Sequence, residues 1–125
     1  MIRYVDHVAI TVKDLAKSIA FYQKLGFAVI RQSESPTQTM VFVGNGLAEL
    51  ELFGLKDGVA KDVPPLQGDE VGIKHIAFHV DDLEGVVEAL KKQGVTFTTD
   101  IRRSGSRASI FFKDPDGTIL QLLQG

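Results

Sequence analysis

The sequence predicts an α+β fold: two tandem βαβββ modules forming a curved, cup-shaped mixed sheet with the helices on the outside. One observation is a repeat. Asp6 to Leu15 reads DHVAITVKDL and Lys74 to Leu83 reads KHIAFHVDDL. The shift that carries His7 onto His75 also carries Asp14 onto Asp82, Leu15 onto Leu83 and Gly26 onto Gly94, so the chain contains an internal duplication. The second observation is that within each copy the apolar period switches from two to about 3.6 and back to two, the signature of strand, helix and strands in succession.

Each copy opens on strict alternation. Val8, Ile10 and Val12 point one way and His7, Ala9 and Thr11 the other; Ile76, Phe78 and Val80 oppose His75, Ala77 and His79. An aspartate then stands where a helix N-cap belongs, Asp14 or Asp82. Helical spacing follows in Leu15, Ile19, Tyr22 and Leu25, and in Leu83, Val86, Val87 and Leu90, with Gly26 and Gly94 as stops. Three strand-like stretches complete each module: Phe27 to Gln32, Thr39 to Val43 and Leu47 to Phe53, then Val95 to Arg102, Ala108 to Lys113 and Thr118 to Leu123. Asn45 with Gly46, and Asp114 to Gly117, supply hairpin turns. Module one spans about 3–54 and module two about 73–125. Between them, about 55–72, Gly58, Pro64, Pro65 and Gly68 punctuate a linker with little periodicity.

Composition excludes several function classes. With 125 residues, modules of about 55 residues are marginal apart and are expected to fold together as one domain, 1–125, or in pairs. A net charge of −2 with 24% charged residues lacks the electrostatic footprint of a nucleic-acid binder. Cysteine is absent, so a metal would take nitrogen and oxygen donors. The opening residues MIRYVDHVAI lack the apolar stretch of a signal peptide, and no run reaches membrane-spanning length. A cytoplasmic protein without membrane or nucleic-acid partners is expected.

Parity identifies the side chains that face the cup. The helix covers one sheet face, so the apolar parity packs beneath it and the other parity lines the concave face. In the last strand of copy one, Leu50 and Leu52 take the core and leave Glu49 and Glu51 open. In the last strand of copy two, Leu120 and Leu122 do the same and leave Ile119, Gln121 and Leu123. His7 with Glu51, and His75 with Gln121, are thus offered to one cavity. Two imidazoles, a carboxylate and an amide oxygen suit a divalent first-row metal that keeps one or two positions open for water or substrate. Gln121 is either such a donor or a hydrogen-bonding cup residue. Glu49 and His79 share the open faces and are the two candidate bases, His79 favoured by an ordinary pKa near neutrality. Each also reads as a plain edge or pocket residue. Arg102 to Arg107 reads as a solvated hairpin loop, or as a basic flap over an anionic group.

The histidine strands, the segment SIAFYQKLGF, the strand ending in ELELF and the stretch KDPDGTILQL resemble the vicinal oxygen chelate superfamily over almost the whole chain. Glyoxalase I, methylmalonyl-CoA epimerase, extradiol dioxygenases, and fosfomycin and bleomycin resistance proteins belong to it. The resemblance implies a divalent metal ion (Zn, Ni, Co, Mn or Fe) held by His7, Glu51, His75 and Gln121, the four residues that parity selects. The nearest likeness is to glyoxalase I, including the stretch around Arg31 to Pro36. Three departures stand out. Gln121 replaces a glutamate that also moves the substrate proton, and amides are not bases. Thr11 stands where glyoxalase I has an arginine for glutathione. Phe53 to Leu55 fill the place of a glutathione-binding asparagine. Glutathione therefore lacks those anchors, and a dioxygenase site of two histidines and a glutamate would likewise find Gln121 in its third place.

These readings imply a metal-dependent lyase or isomerase of a small carbonyl or thiohemiacetal compound. Alternatives are another metal-dependent reaction, such as epimerisation, dioxygenation or antibiotic modification, and a metal-free small-molecule-sequestering protein. A homodimer is expected, with each site drawing His7 and Glu51 from one chain and His75 and Gln121 from the other.

Overall fold

Both helices begin and end as their sequences dictate. In the computed structural model, which describes residues 1–64 and 67–125, α1 (Leu15–Lys24) is capped by Asp14, whose carboxylate accepts a hydrogen bond from the Lys17 N–H at 3.1 Å. The second helix, α2 (Leu83–Lys92), is capped by Asp82 through the Gly85 N–H, also at 3.1 Å. Each cap satisfies a backbone donor that the first helical turn leaves without a partner. At the far ends, the Gly26 and Gly94 N–H groups reach Gln23 and Lys91, while the Phe27 and Val95 N–H groups reach back to Tyr22 and Leu90. This paired closure needs a residue with positive φ, and Gly26 at 97° and Gly94 at 86° provide it.

Of the eight strands among the described residues, seven fall where the sequence places them: β1 (Val8–Thr11), β2 (Ala28–Glu34), β3 (Gln38–Gly44), β4 (Glu49–Leu55), β5 (Ile76–His79), β7 (Arg107–Lys113) and β8 (Ile119–Gln124). The exception is β6, which is only Arg102–Ser104, whereas the sequence predicts a strand over Val95 to Arg102. Val95 is buried under the helix end and Phe97 makes a single bridge to Phe112. The Thr98 N–H donates to the Phe111 carbonyl at 2.8 Å, but the Phe111 N–H donates to the Thr99 hydroxyl at 3.1 Å. A side chain thus replaces a backbone carbonyl, and the ladder breaks where the apolar pattern alone would continue it.

The strands form two four-stranded mixed sheets, ordered β1-β4-β3-β2 and β5-β8-β7-β6. In each, the first and last strands of the module run parallel and the remaining pairs are antiparallel. The chain resolves into two compact units, residues 1–62 and 63–125. Pro64 of the expected linker lies in the second; Pro65, with Leu66, lies outside the described residues.

The core of each unit is the layer between helix and sheet. In the first, Val41, Val43, Leu50 and Leu52 are buried with Tyr22 of α1, and Gly54 lies so close beneath Leu15 that an added Cβ would come within 2.7 Å of that side chain. In the second, Ile110, Phe112, Leu120 and Leu122 are buried with Leu83, Val87 and Leu90, and the Gln124 side chain accepts from the Leu83 N–H at 2.7 Å. The alternation in β4 and β8 leaves Glu49, Glu51, Ile119 and Gln121 half-buried on the face away from the helix. Among the described residues, no helix is long and apolar enough to cross a membrane.

Candidate functional site

His7 stands one residue before β1, and His75 one residue before β5. Register explains their neighbours. Ala9 pairs with Glu51 across β1 and β4, and Glu51 pairs with Phe42 of β3. Ala77 pairs with Gln121, and Gln121 with Phe111 of β7. Each histidine, two residues from its alanine, shares that alanine's face. The result is a repeated ring contact: His7 meets Phe42 edge-on with centroids 5.1 Å apart, and His75 meets Phe111 in the same way at 5.2 Å. Histidine, phenylalanine and the fourth-strand polar residue recur together in both units.

Module one adds charge to this arrangement. The His7 Nε2 lies 3.5 Å from the Glu51 Oε1, and its Nδ1 lies 2.7 Å from the Asp6 Oδ2. Asp6 hydrogen bonding, followed by the charges of Asp6, Glu51 and Glu49, raises the His7 pKa above the ordinary imidazole value, against a smaller opposing effect of desolvation. In the tautomer that donates its Nδ1 proton to Asp6, the Nε2 lone pair would be free to face an ion, the orientation that carboxylates impose on metal-binding histidines. Two donors about 2.1 Å from a common tetrahedral ion stand roughly 3.4 Å apart, close to the gap observed here. The pair fits a divalent ion as two of its ligands. Among the described residues no group of three or more His, Asp or Glu is arranged so as to hold a metal ion by itself.

Glu49 shares the face of Glu51 and engages the Arg31 guanidinium at 3.3 Å. The Arg31 guanidinium lies over the Phe42 ring, its central carbon 3.9 Å from the ring centroid. Sequence reasoning named Arg31 only within a stretch of likeness and gave it no role. The signal was hidden because β2 shifts register between Val29 and Arg31, so simple alternation does not tell which face Arg31 takes.

At the places matching Glu49 and Glu51, module two is neutral where module one is charged. Ile119 stands in the place of Glu49, and Thr99 serves Phe111 on the side where Arg31 serves Phe42. A cavity of about 670 Å³ opens there, with His75, Phe111, Ile119, Val71, Ile73 and Lys113 among its walls. His79 lies beyond it, its side chain 62% exposed and its Nε2 3.2 Å from the Asp81 Oδ1. Arg102 to Arg107 forms the β6–β7 hairpin, in which Arg103 pairs with Glu84 of α2.

Duplicated βαβββ modules, each with a histidine set edge-on to a phenylalanine, define a class, and the family comparison agrees. Residues 4–122 match the Glyoxalase/Bleomycin resistance protein/Dioxygenase superfamily, and the chain belongs to it. It is 35% identical to the lactoylglutathione lyase of Haemophilus influenzae over 127 residues, 94% of this chain and 90% of that protein. Among solved structures it resembles a glyoxalase family protein from Enterococcus faecalis, with TM-score 0.83 and 31% identity over 98% of each chain. It also resembles the fosfomycin resistance protein FosX of Listeria monocytogenes complexed with Mn(II) and sulfate, with TM-score 0.71 and 26% identity over 100% of this chain and 94% of that one.

Proposed function

We propose that the chain is a divalent-metal-dependent lyase or isomerase of glyoxalase type, acting on a small carbonyl or thiohemiacetal substrate. The observation that carries this reading is the His7 pair: Nε2 3.5 Å from Glu51 and Nδ1 tied to Asp6 at 2.7 Å. His75 and Gln121, which meet at Phe111 as His7 and Glu51 meet at Phe42, would complete the ligand set. Likeness to a lactoylglutathione lyase and to a Mn(II)-bound FosX supports the enzyme class and the use of a metal. The modules would act as one domain, in a cytoplasmic homodimer in which each ion is shared between chains. Zinc, nickel, cobalt, manganese or iron(II) all accept such donors.

When bound, the ion supplies Lewis-acid polarisation of substrate oxygens. The chain's own residues do the rest. Asp6 holds the His7 ring, and Phe42 and Phe111 wall the two histidines. Gln121 cannot take a proton, so proton transfer falls to Glu49 or His79. Glu49 is the better placed, because it lies on the β4 face of Glu51, whereas His79 is four residues along the chain from His75, roughly 13 Å in an extended strand. Glu49 would have to leave Arg31 to act. A Glu49→Gln variant that keeps its metal and loses turnover supports this role; full turnover in Glu49→Gln removes it.

The test is elemental analysis of protein purified without chelator, followed by turnover assays on thiohemiacetals made from 2-oxoaldehydes and several thiols. The reading expects one ion per chain and metal-dependent formation of a thioester. A second reading, a metal-free binding protein, draws on the cavity of module two, where Val71, Ile73, Phe111 and Ile119 supply apolar wall that needs no ion to hold a ligand. Protein free of stoichiometric metal that still binds ligands would favour it.

A further inference from the structure

Arg31, Phe42, Glu51 and Ala9 form one row across the whole of the first sheet, each paired in register with the next. Residues directly opposite one another in a sheet share a face, so Arg31 stands on the face of His7 and Glu51. Its guanidinium reaches back over Phe42, 3.9 Å from the ring centroid, which brings it to about one strand spacing, roughly 5 Å, from the Glu51 row. A ring beneath and one carboxylate beside it fix the group while leaving the side chain 53% exposed. The Glu49 contact is a single one at 3.3 Å, made by one nitrogen of a fork that carries five N–H donors.

We propose that Arg31 is a specificity-determining residue that receives a carboxylate of the substrate, so the substrate class is small oxygenated compounds with a carboxylate about 5 Å from the oxygen pair that chelates the metal. The proposal rests on the metal-dependent reading above. A planar guanidinium already stacked on a ring loses little freedom when it pairs with a carboxylate. Glu49 beside it sets the charge of the guest. One negative charge is balanced by Arg31 and the neighbouring ion, whereas a doubly charged phosphate would also meet repulsion from Glu49. In module two Thr99 occupies the corresponding side of Phe111, and the cations there, Lys74 and Lys113, lie on the cavity wall.

The test uses two hydroxamates, which chelate metals through vicinal oxygens: acetohydroxamate, and malonic acid monohydroxamate, which adds a carboxylate. Affinities are measured by calorimetry on the full chain, with and without Zn(II), for wild type, Arg31→Gln, Arg31→Lys and the control Lys17→Gln, exposed on α1 behind the first sheet. Wild type and the control should bind the carboxylated probe at least about tenfold more tightly than acetohydroxamate. Arg31→Gln should lose that preference and bind acetohydroxamate as wild type does, with Arg31→Lys between the two. An equal preference in wild type and Arg31→Gln, or none in wild type, overturns the proposal. Acetohydroxamate reports separately on the metal: if it shows no zinc-dependent binding, the metal reading fails. Zinc-independent binding of the carboxylated probe that Arg31→Gln abolishes then still sustains the role of Arg31, and no binding at all overturns it.

Discussion

The two modules share a scaffold and differ in chemistry. Both have an aspartate-capped helix, a glycine closure, a mixed sheet in the same strand order and a histidine set edge-on to a phenylalanine. They part on the face away from the helix: module one carries Arg31, Glu49 and Glu51, and module two carries Thr99, Ile119 and Gln121 at the matching places. Burial explains the division. Positions beneath the helices must stay apolar in both copies to keep a core, while positions on the open face are free to diverge. One copy carries Arg31, Glu49 and Glu51 there, and the other opens a cavity of about 670 Å³.

The comparison is broken most strongly at the group behind the histidine. Asp6 orients His7, whereas no such carboxylate contact is seen for His75 among the described residues. Asp6→Asn is expected to weaken metal binding by about 10–100-fold in a calorimetric titration, with the far-ultraviolet circular dichroism unchanged. An affinity equal to that of wild type would mean that the Asp6 contact does not serve a metal.

The paired rings are the next difference. Phe42 supports both His7 and Arg31, and Phe111 supports His75 and walls the cavity. Phe42→Ala and Phe111→Ala, each removing a half-buried ring, should cost about 1–3 kcal/mol in urea denaturation. Only Phe42→Ala should also reduce the Arg31-dependent preference for carboxylated probes. Equal losses of that preference in both variants would contradict the division between the modules.

A smaller asymmetry lies in the helices. Ser18 of α1 is fully buried and its hydroxyl has no hydrogen-bond partner among the described residues, whereas Val86 stands at the matching position of α2. Ser18→Ala should raise stability by about 1 kcal/mol, because it removes an unsatisfied buried hydroxyl. A loss of stability would show that the hydroxyl has a partner.

The last difference is in pH. The folded His7 pKa is raised, chiefly by its hydrogen bond to Asp6. His7 therefore stabilises the metal-free protein fully below the unfolded value of about 6.5, and this contribution is lost as pH rises through the folded value. The stability gap between wild type and His7→Gln should shrink across that window. A gap that widens with rising pH would reverse the assigned sign.

Much of this was legible in the sequence because it is local. Caps, closures and the repeat are written in neighbouring residues, and parity read Glu51 and Gln121 onto the open face from Leu50, Leu52, Leu120 and Leu122. What failed was non-local. Arg31 was hidden by the register shift that precedes it in β2. The predicted strand over Val95 to Arg102 was broken by a bond from the Phe111 backbone to a threonine hydroxyl, a choice the apolar pattern does not encode.

The proposed sharing of one ion between the modules is tested most directly by zinc K-edge absorption spectroscopy on the loaded protein. Two imidazole ligands are expected in wild type and one in each of His7→Gln and His75→Gln, with weaker binding in both variants. A wild-type spectrum with fewer than two imidazoles, or a His75→Gln spectrum indistinguishable from wild type, would contradict it.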